Sequence, residues 1–329
     1  MNVLSNIFFA AVLAGTPLLL GTLGEILTEK SGNLNLGVEG MMFMGAIAGL
    51  IAPYYYEQAV VAAGHEPSKL LAVIISAAAA FVVAALGALI YAFLTITLHA
   101  NQNVTGLTLT IFGTGFANFF GEFFGLKAGG YVAVGDQIKA AFSDNGIPFL
   151  SEIPVVGKLL FGYNWVVYFA VIIALVMAWV FNKTRVGLNL KAVGESPSTA
   201  DAAGINVTKY KYVATVVGGG ICGLGGMYMS MITTSGVWVY NCVSGYGWLA
   251  VALVIFASWS PTRGLLAALV FGALTVLRLY VSIPGVPMQI YDMLPYVATI
   301  VVLVITSIRQ SKENVQPKSC GLNYFREER

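Results

Sequence analysis

The sequence predicts an all-α polytopic membrane protein of about nine transmembrane helices, within a range of eight to ten, with one short helix on a polar loop. Three observations predict it. Of 329 residues, 58% are hydrophobic and only 10% charged, against about a quarter charged in soluble domains. Mean hydropathy is +0.81. The apolar residues fall in continuous runs near spanning length, whereas barrel strands alternate apolar and polar residues. The composition excludes an ordinary soluble enzyme and a disordered chain. The balance of 17 basic and 15 acidic residues gives no field for a polyanion, so no nucleic-acid partner is expected.

Crossing the hydrocarbon core takes about 20 apolar residues in helical form. The first qualifying stretch is Val3–Leu23. No Lys or Arg precedes it, Pro17 interrupts it, and no clear cleavage site comes before Gly24-Glu25. It therefore reads as a retained helix rather than a signal peptide. Gly37–Tyr55 follows, then Leu70–Leu98, which is long enough to tilt or overhang, then Val104–Phe124 and Tyr163–Phe181. The remaining four are Tyr212–Thr234, the short Gly245–Trp259, Gly264–Val281 and Ile290–Ile308. Residues 1–308 thus read as a single transmembrane domain and 309–329 as a tail.

Basic residues orient the bundle, because Lys and Arg accumulate in cytoplasmic loops. Lys183, Arg185, Lys191, Lys209 and Lys211 cluster between spans five and six. Arg309, Lys312, Lys318, Arg326 and Arg329 lie in the tail. Placing both groups inside also puts Lys30 and Arg263 inside, leaving Lys69, Lys127, Lys139 and Lys158 outside. The expectation is an inner (plasma) membrane protein with a cytoplasmic C-terminus. The odd span count puts the N-terminus outside. Arg278 falls within a span, near a helix end from which its side chain can snorkel, although an intramembrane charge is also a functional candidate.

Cys222, Cys242 and Cys320 are scattered, and His65 and His99 are far apart in sequence. None has a partner at ligand or redox spacing, so no metal site and no cysteine chemistry are expected. An integral membrane enzyme would show clustered His, Asp or Glu at one face, and none appears. An ion-driven secondary transporter would show paired intramembrane acids and usually an internal repeat. Here Glu39, Glu122 and Asp292 are the acids near spans, and the two halves do not align.

Four segments depart from plain spans. In Gly24–Gly40, GEILTEKSGNLNLGVEG, the residues Glu25, Glu29, Lys30, Asn33, Asn35 and Glu39 interrupt apolar sequence. A short cytoplasmic loop accounts for Glu29 and Lys30. Asn33, Asn35 and Glu39 alternate with Leu34, Leu36 and Val38, and irregular polar backbone at membrane depth requires cover by protein or a water-filled cavity. In His99–Thr110, HANQNVTGLTLT, Asn101, Gln102 and Asn103 precede Thr105, Thr108 and Thr110. Helix capping with interhelical bonding is one reading. Recognition of a neutral polar ligand without a buried charge is the other. Gly218, Gly220 and Gly223 fit a dinucleotide-binding spacing, but inside an apolar span such glycines serve close helix packing, and no Walker A motif occurs in the chain. In Asn182–Tyr212, Ser196-Pro197 opens and Gly204 closes a short Ala-rich helix, suited to docking a soluble partner.

Together these segments resemble the permease subunits of ATP-binding-cassette importers. More narrowly, they resemble the simple sugar and nucleoside branch, related to ribose and branched-chain amino acid permeases. The resemblance rests on GEILTEKSGNLNLGVEGMM at 24–42, NQNVTGLTL at 101–109 and VGLNLKAVGESPSTADAAGI at 186–205. The first motif looks especially like the nucleoside permeases, which work with a second, non-identical permease. The resemblance implies that Gly194, Glu195, Pro197, Ala200, Asp201, Ala203 and Gly204, in the loop 183–211, form a coupling helix that docks on a cassette ATPase. The looser signature of other branches, with three residues between the alanines and the glycine, is not reproduced here. ATP and magnesium would be used by the ATPase, so the permease itself needs no cofactor and changes no bond. The further implied partners are an extracytoplasmic binding protein or lipoprotein, a small-molecule substrate and membrane lipid. Asn35, Glu39, Asn103, Thr105 and Thr108 are the expected lining of a substrate pathway for a nucleoside, with a ribose- or galactose-type sugar as the alternative.

Overall fold

A computed structural model describes residues 3–143, 146, 156–281, 287–308 and 316–326. In chain order its helices are α1 (Val3–Lys30), α2 (Val38–Ala62), α3 (Lys69–Ala92), α4 (Gln102–Lys127), α5 (Asp136–Ser143), α6 (Val156–Phe161) and α7 (Trp165–Lys183). They continue with α8 (Arg185–Glu195), α9 (Pro197–Ala202), α10 (Val207–Tyr228), α11 (Tyr246–Phe256), α12 (Pro261–Tyr280) and α13 (Met288–Ile308). Among the described residues, the extended pairing is limited to one antiparallel bridge, Ala133 with Val237.

Helices lie in all nine predicted stretches. Six of them, in α1, α2, α3, α7, α10 and α12, are long and apolar enough to cross a membrane. Helix α4 has the length, at 26 residues, but its amides, threonines and glycines dilute its hydropathy.

Two sequence expectations are corrected. The first span does not end at Leu23, because α1 runs unbroken to Lys30. Glu25 and Glu29 are therefore buried helix residues, not loop residues. The stretch Gly245–Trp259 is not a full helical span. Its helix, α11, has 11 residues, about 16 Å at 1.5 Å per residue, roughly half of a 30 Å hydrocarbon core. The rest of that passage is irregular chain. It leaves the bridge at Val237, passes left-handed residues at Asn241, Ser244 and Gly245, and enters α11 where Glu39 of α2 meets its first amides.

The bundle is organised around α10, which packs on α1, α2 and α3. Its glycines explain how. A side chain on Gly218 would meet the Gly24 carbonyl of α1, one on Gly226 the Met42 carbonyl of α2, and one on Gly223 Ala80 and Ala84 of α3. Without side chains, the backbones of three neighbours approach one helix directly, which is where association energy in lipid comes from. The packing reading of Gly218–Gly226 therefore holds. Gly226→Leu is expected to destabilise the protein by about 3 kcal/mol through overpacking. It should show as a lowered unfolding temperature and loss of a monodisperse species in detergent. Gly115→Ala, whose added carbon meets nothing within 4 Å, should leave both unchanged.

Candidate functional site

Two helices begin inside the bundle rather than at its surface. The irregular residues 31–37, a turn at each end, carry the chain from the end of α1 to the start of α2, and every polar side chain on them is buried. Asn33 Nδ2 donates to Thr215 Oγ1 of α10 at 3.0 Å. The Leu34 amide donates to Gln102 Oε1 of α4 at 2.7 Å, and the Leu34 carbonyl accepts from the Tyr91 hydroxyl of α3 at 2.5 Å. The Asn35 amide donates to Glu25 Oε1 at 3.0 Å, while Asn35 Oδ1 accepts from the Gly37 amide at 2.9 Å and turns the chain into α2. This is irregular backbone made tolerable by protein cover.

Glu39, one residue into α2, reaches the other broken element. Its Oε1 accepts from the Gly245 amide at 2.7 Å and its Oε2 from the Gly247 amide at 2.6 Å. The first amides of a helix have no intrahelical acceptor, and the helix dipole favours an anion there. A carboxylate from a distant helix thus closes the start of α11. At the other end of α11, Trp259 Nε1 donates to Glu29 Oε2 of α1. Glu25 and Glu29, one turn apart on α1, therefore serve the two broken passages separately. Glu25 Oε2 is buried and has no partner among the described residues.

The five expected pathway residues fall in two places. Asn35 and Glu39 are buried and bonded inside this centre. Asn103 and Thr108 are exposed on α4, and Thr105 is half-buried. Thr105 Oγ1 and Thr108 Oγ1 donate to the carbonyls of Asn101 and Val104, four residues back. With Tyr91, Leu94 and Leu109, the two threonines line a largely apolar groove of about 330 Å³ between α3 and α4. The helix cap is Asn101, whose Oδ1 accepts from the Val104 amide at 3.1 Å. Gln102 is the amide that turns inward, with its side chain 3% exposed.

The polar loop between α7 and α10 folds as the two helices α8 and α9. Ser196 precedes α9, Pro197 opens it, and Gly204 follows with φ +83°, in agreement with the Pro and Gly punctuation. Gly194 packs against the Lys30 carbonyl at the end of α1, and Ala200 is buried. Glu195, Ala203 and Gly204 face outward, with Pro197 and Asp201 between these extremes.

Residues 316–326 form a strap across this end of the bundle, which sequence reasoning misses. The Ser319 amide and hydroxyl both donate to the Gly194 carbonyl, at 3.0 and 2.6 Å. Asn323 Nδ2 donates to the His99 carbonyl at 2.6 Å, and Asn323 Oδ1 accepts from Gln102 Nε2 at 3.3 Å. The Tyr324 hydroxyl donates to Asp201 Oδ2 at 2.9 Å, and Arg326 pairs with the same oxygen at 3.3 Å. One short peptide thus joins α8, α9 and the head of α4.

Arg278 does not simply snorkel. Its guanidinium pairs with Asp292 Oδ1 at 2.9 Å, tying α12 to α13 through two half-exposed side chains.

A bundle of apolar, membrane-length helices with two irregular passages and a short helix displayed at one end defines a multi-pass membrane protein. The chain belongs to the family described as the permease component of the branched-chain amino acid transport system, whose model matches residues 7–303. It is 33% identical to the guanosine ABC transporter permease protein NupQ of Bacillus subtilis, over 100% of this chain and 99% of that protein. It is 30% identical to the nucleoside ABC transporter permease protein NupC of Lactococcus lactis, over 99% and 98%. A third relative, TsgC13 of Haloferax volcanii, carries a name that assigns it provisionally to glucose transport. It is 33% identical over 100% of this chain and 99% of its own length.

Proposed function

We propose that this chain is a transmembrane subunit of an ATP-driven nucleoside importer in the plasma membrane, with α9 and the C-terminus on the cytoplasmic side. The observation that carries the reading is end-to-end similarity to two permeases named for nucleosides and guanosine. The chain contributes a gated route and no bond chemistry. A cassette ATPase, which binds ATP and magnesium, docks on the outward residues at the end of α8 and just after α9, Glu195, Ala203 and Gly204, with the half-buried Pro197 between them. Gly194, Ala200 and Asp201 hold that helix to the bundle. The second permease is non-identical: NupB and NupP, which share their name stems with NupC and NupQ, are each 24% identical to this chain. An extracytoplasmic binding protein delivers the solute, and alternating access moves it. Asn103, Thr105 and Thr108 line the route directly, whereas Asn35 and Glu39 shape it from within.

A sugar importer is the second reading, favoured by the glucose assignment of TsgC13. Uptake of labelled guanosine, adenosine, ribose and glucose in a deletion strain carrying the complete gene set separates the two. Sugar uptake without nucleoside uptake overturns the first choice. Ala203→Arg, on the exposed docking face, is expected to reduce uptake by roughly tenfold or more while the protein still reaches the membrane, as for a charge forced into a packed interface. Unchanged uptake would remove α9 from the docking site.

A further inference from the structure

Beside α9, the head of α10 and the strap enclose a groove of about 810 Å³, within the size range of small-molecule sites. We propose that this groove is a binding site for a phosphate group, with Lys211 as its buried contact. Lys211 is 4% exposed, yet it lines the groove. Among the described residues its ammonium makes no hydrogen bond and no ion pair. Buried charges are ordinarily paired, so a lysine left in this state lacks its anion. On the strap, burial holds the thiol of Cys320 well above its ordinary range, so it stays neutral and supplies no countercharge.

The rest of the groove has the same polarity. Lys209 adds a second ammonium, and Asn206, which caps α10 by accepting from the Lys209 amide at 2.9 Å, marks the positive end of a 22-residue helix. The acidic group on the wall, Asp201, is already engaged by Tyr324 and Arg326. His99 and Asn323 close the far side. Ammonium groups and a helix N-terminus converging on a partly enclosed space are the elements of a phosphate site. None of them depends on which solute the bundle carries.

A phosphate can come from solution or from the headgroup of an anionic lipid, and one experiment separates the sources. The complete transporter is purified into nanodiscs of phosphatidylcholine alone, and binding of radiolabelled inorganic phosphate is measured by equilibrium dialysis. A parallel preparation in mixed phosphatidylcholine and phosphatidylglycerol is examined by native mass spectrometry for retained lipid. Saturable phosphate binding that weakens by roughly tenfold or more in Lys211→Met, and is kept in Lys211→Arg, supports the site with a soluble ligand. Phosphatidylglycerol retained by the wild type and lost from Lys211→Met supports it with a lipid headgroup. If Lys211→Met does not assemble, Lys209→Met, at an exposed position, must weaken the same binding. Absence of both ligands from the wild type, or equal binding by the wild type and the two methionine variants, overturns the proposal.

Discussion

Replacing Glu39 by alanine is expected to cost about 3–5 kcal/mol, the largest single-residue effect in the bundle. The backbone amides of buried Gly247 and half-buried Gly245 at the start of α11 would lose a charged acceptor at once, at about 1.5–3 kcal/mol each with the half-buried one nearer the low end. The loss is also conformational: residues 234–245 reach α11 as irregular chain, and this carboxylate fixes where the helix begins. Thermal unfolding in detergent should fall by roughly 10 °C. Glu39→Gln should recover part of the loss, because one amide oxygen can still accept from one of the two amides. If Glu39→Ala unfolds at the wild-type temperature and still transports, the carboxylate is not what holds the broken helix. A normal unfolding temperature with abolished transport would instead place Glu39 on the solute itself.

The second large effect is expected at the strap. In Asn323→Ala combined with Tyr324→Phe, Asp201 loses its hydroxyl donor, while the His99 carbonyl and Gln102 lose their amide partner. Helix α9 then keeps its packing through Ala200 and its pairing with Arg326, but the link that Asn323 makes from the strap to the head of α4 is lost. A coupling loss of about 1.5 kcal/mol, or roughly tenfold, is expected between ATP turnover and uptake. The sign is specific: ATP hydrolysis by the assembled transporter continues while solute accumulation drops. Limited proteolysis from the C-terminus reports whether the strap has been released. Released strap with unchanged coupling would show that this peptide is only a cover.

Local signals in the sequence are readable and long-range ones are not. Pro197 and Gly204 mark the two ends of α9 because both act on their own backbone, so that helix is legible from its punctuation alone. The shortness of the Gly245–Trp259 run is equally visible. Its meaning is not, because Glu39, the residue that lets a helix begin inside the bundle, lies more than two hundred positions away in sequence. Glu25 and Glu29 illustrate a different failure. Charge in a chain of this composition argues for a loop, yet the two residues are one helical turn apart, which is the available sign that α1 continues. Gln102 stands in a run of three amides with nothing local to distinguish the buried one from its exposed neighbours. The strap has neither apolar periodicity nor a repeated motif. Its hold on the bundle combines hydrogen bonds to carbonyls, one carboxylate and the Gln102 amide with the packing of Tyr324 and of Phe325 on His99, which leave no pattern in a linear sequence.

The bare face of α10 has a mechanical consequence. Where side chains interdigitate, two helices can slide by changing rotamers and settle in a new register. Gly218, Gly223 and Gly226 have no rotamers, and the groups they touch on α1, α2 and α3 are largely backbone or the short side chain of alanine. Such a contact has one seating. Any change of state in this protein must therefore carry those four helices together as one stiff body. The compliance that gating requires has to come from the outer helices, the unwound passages and the strap.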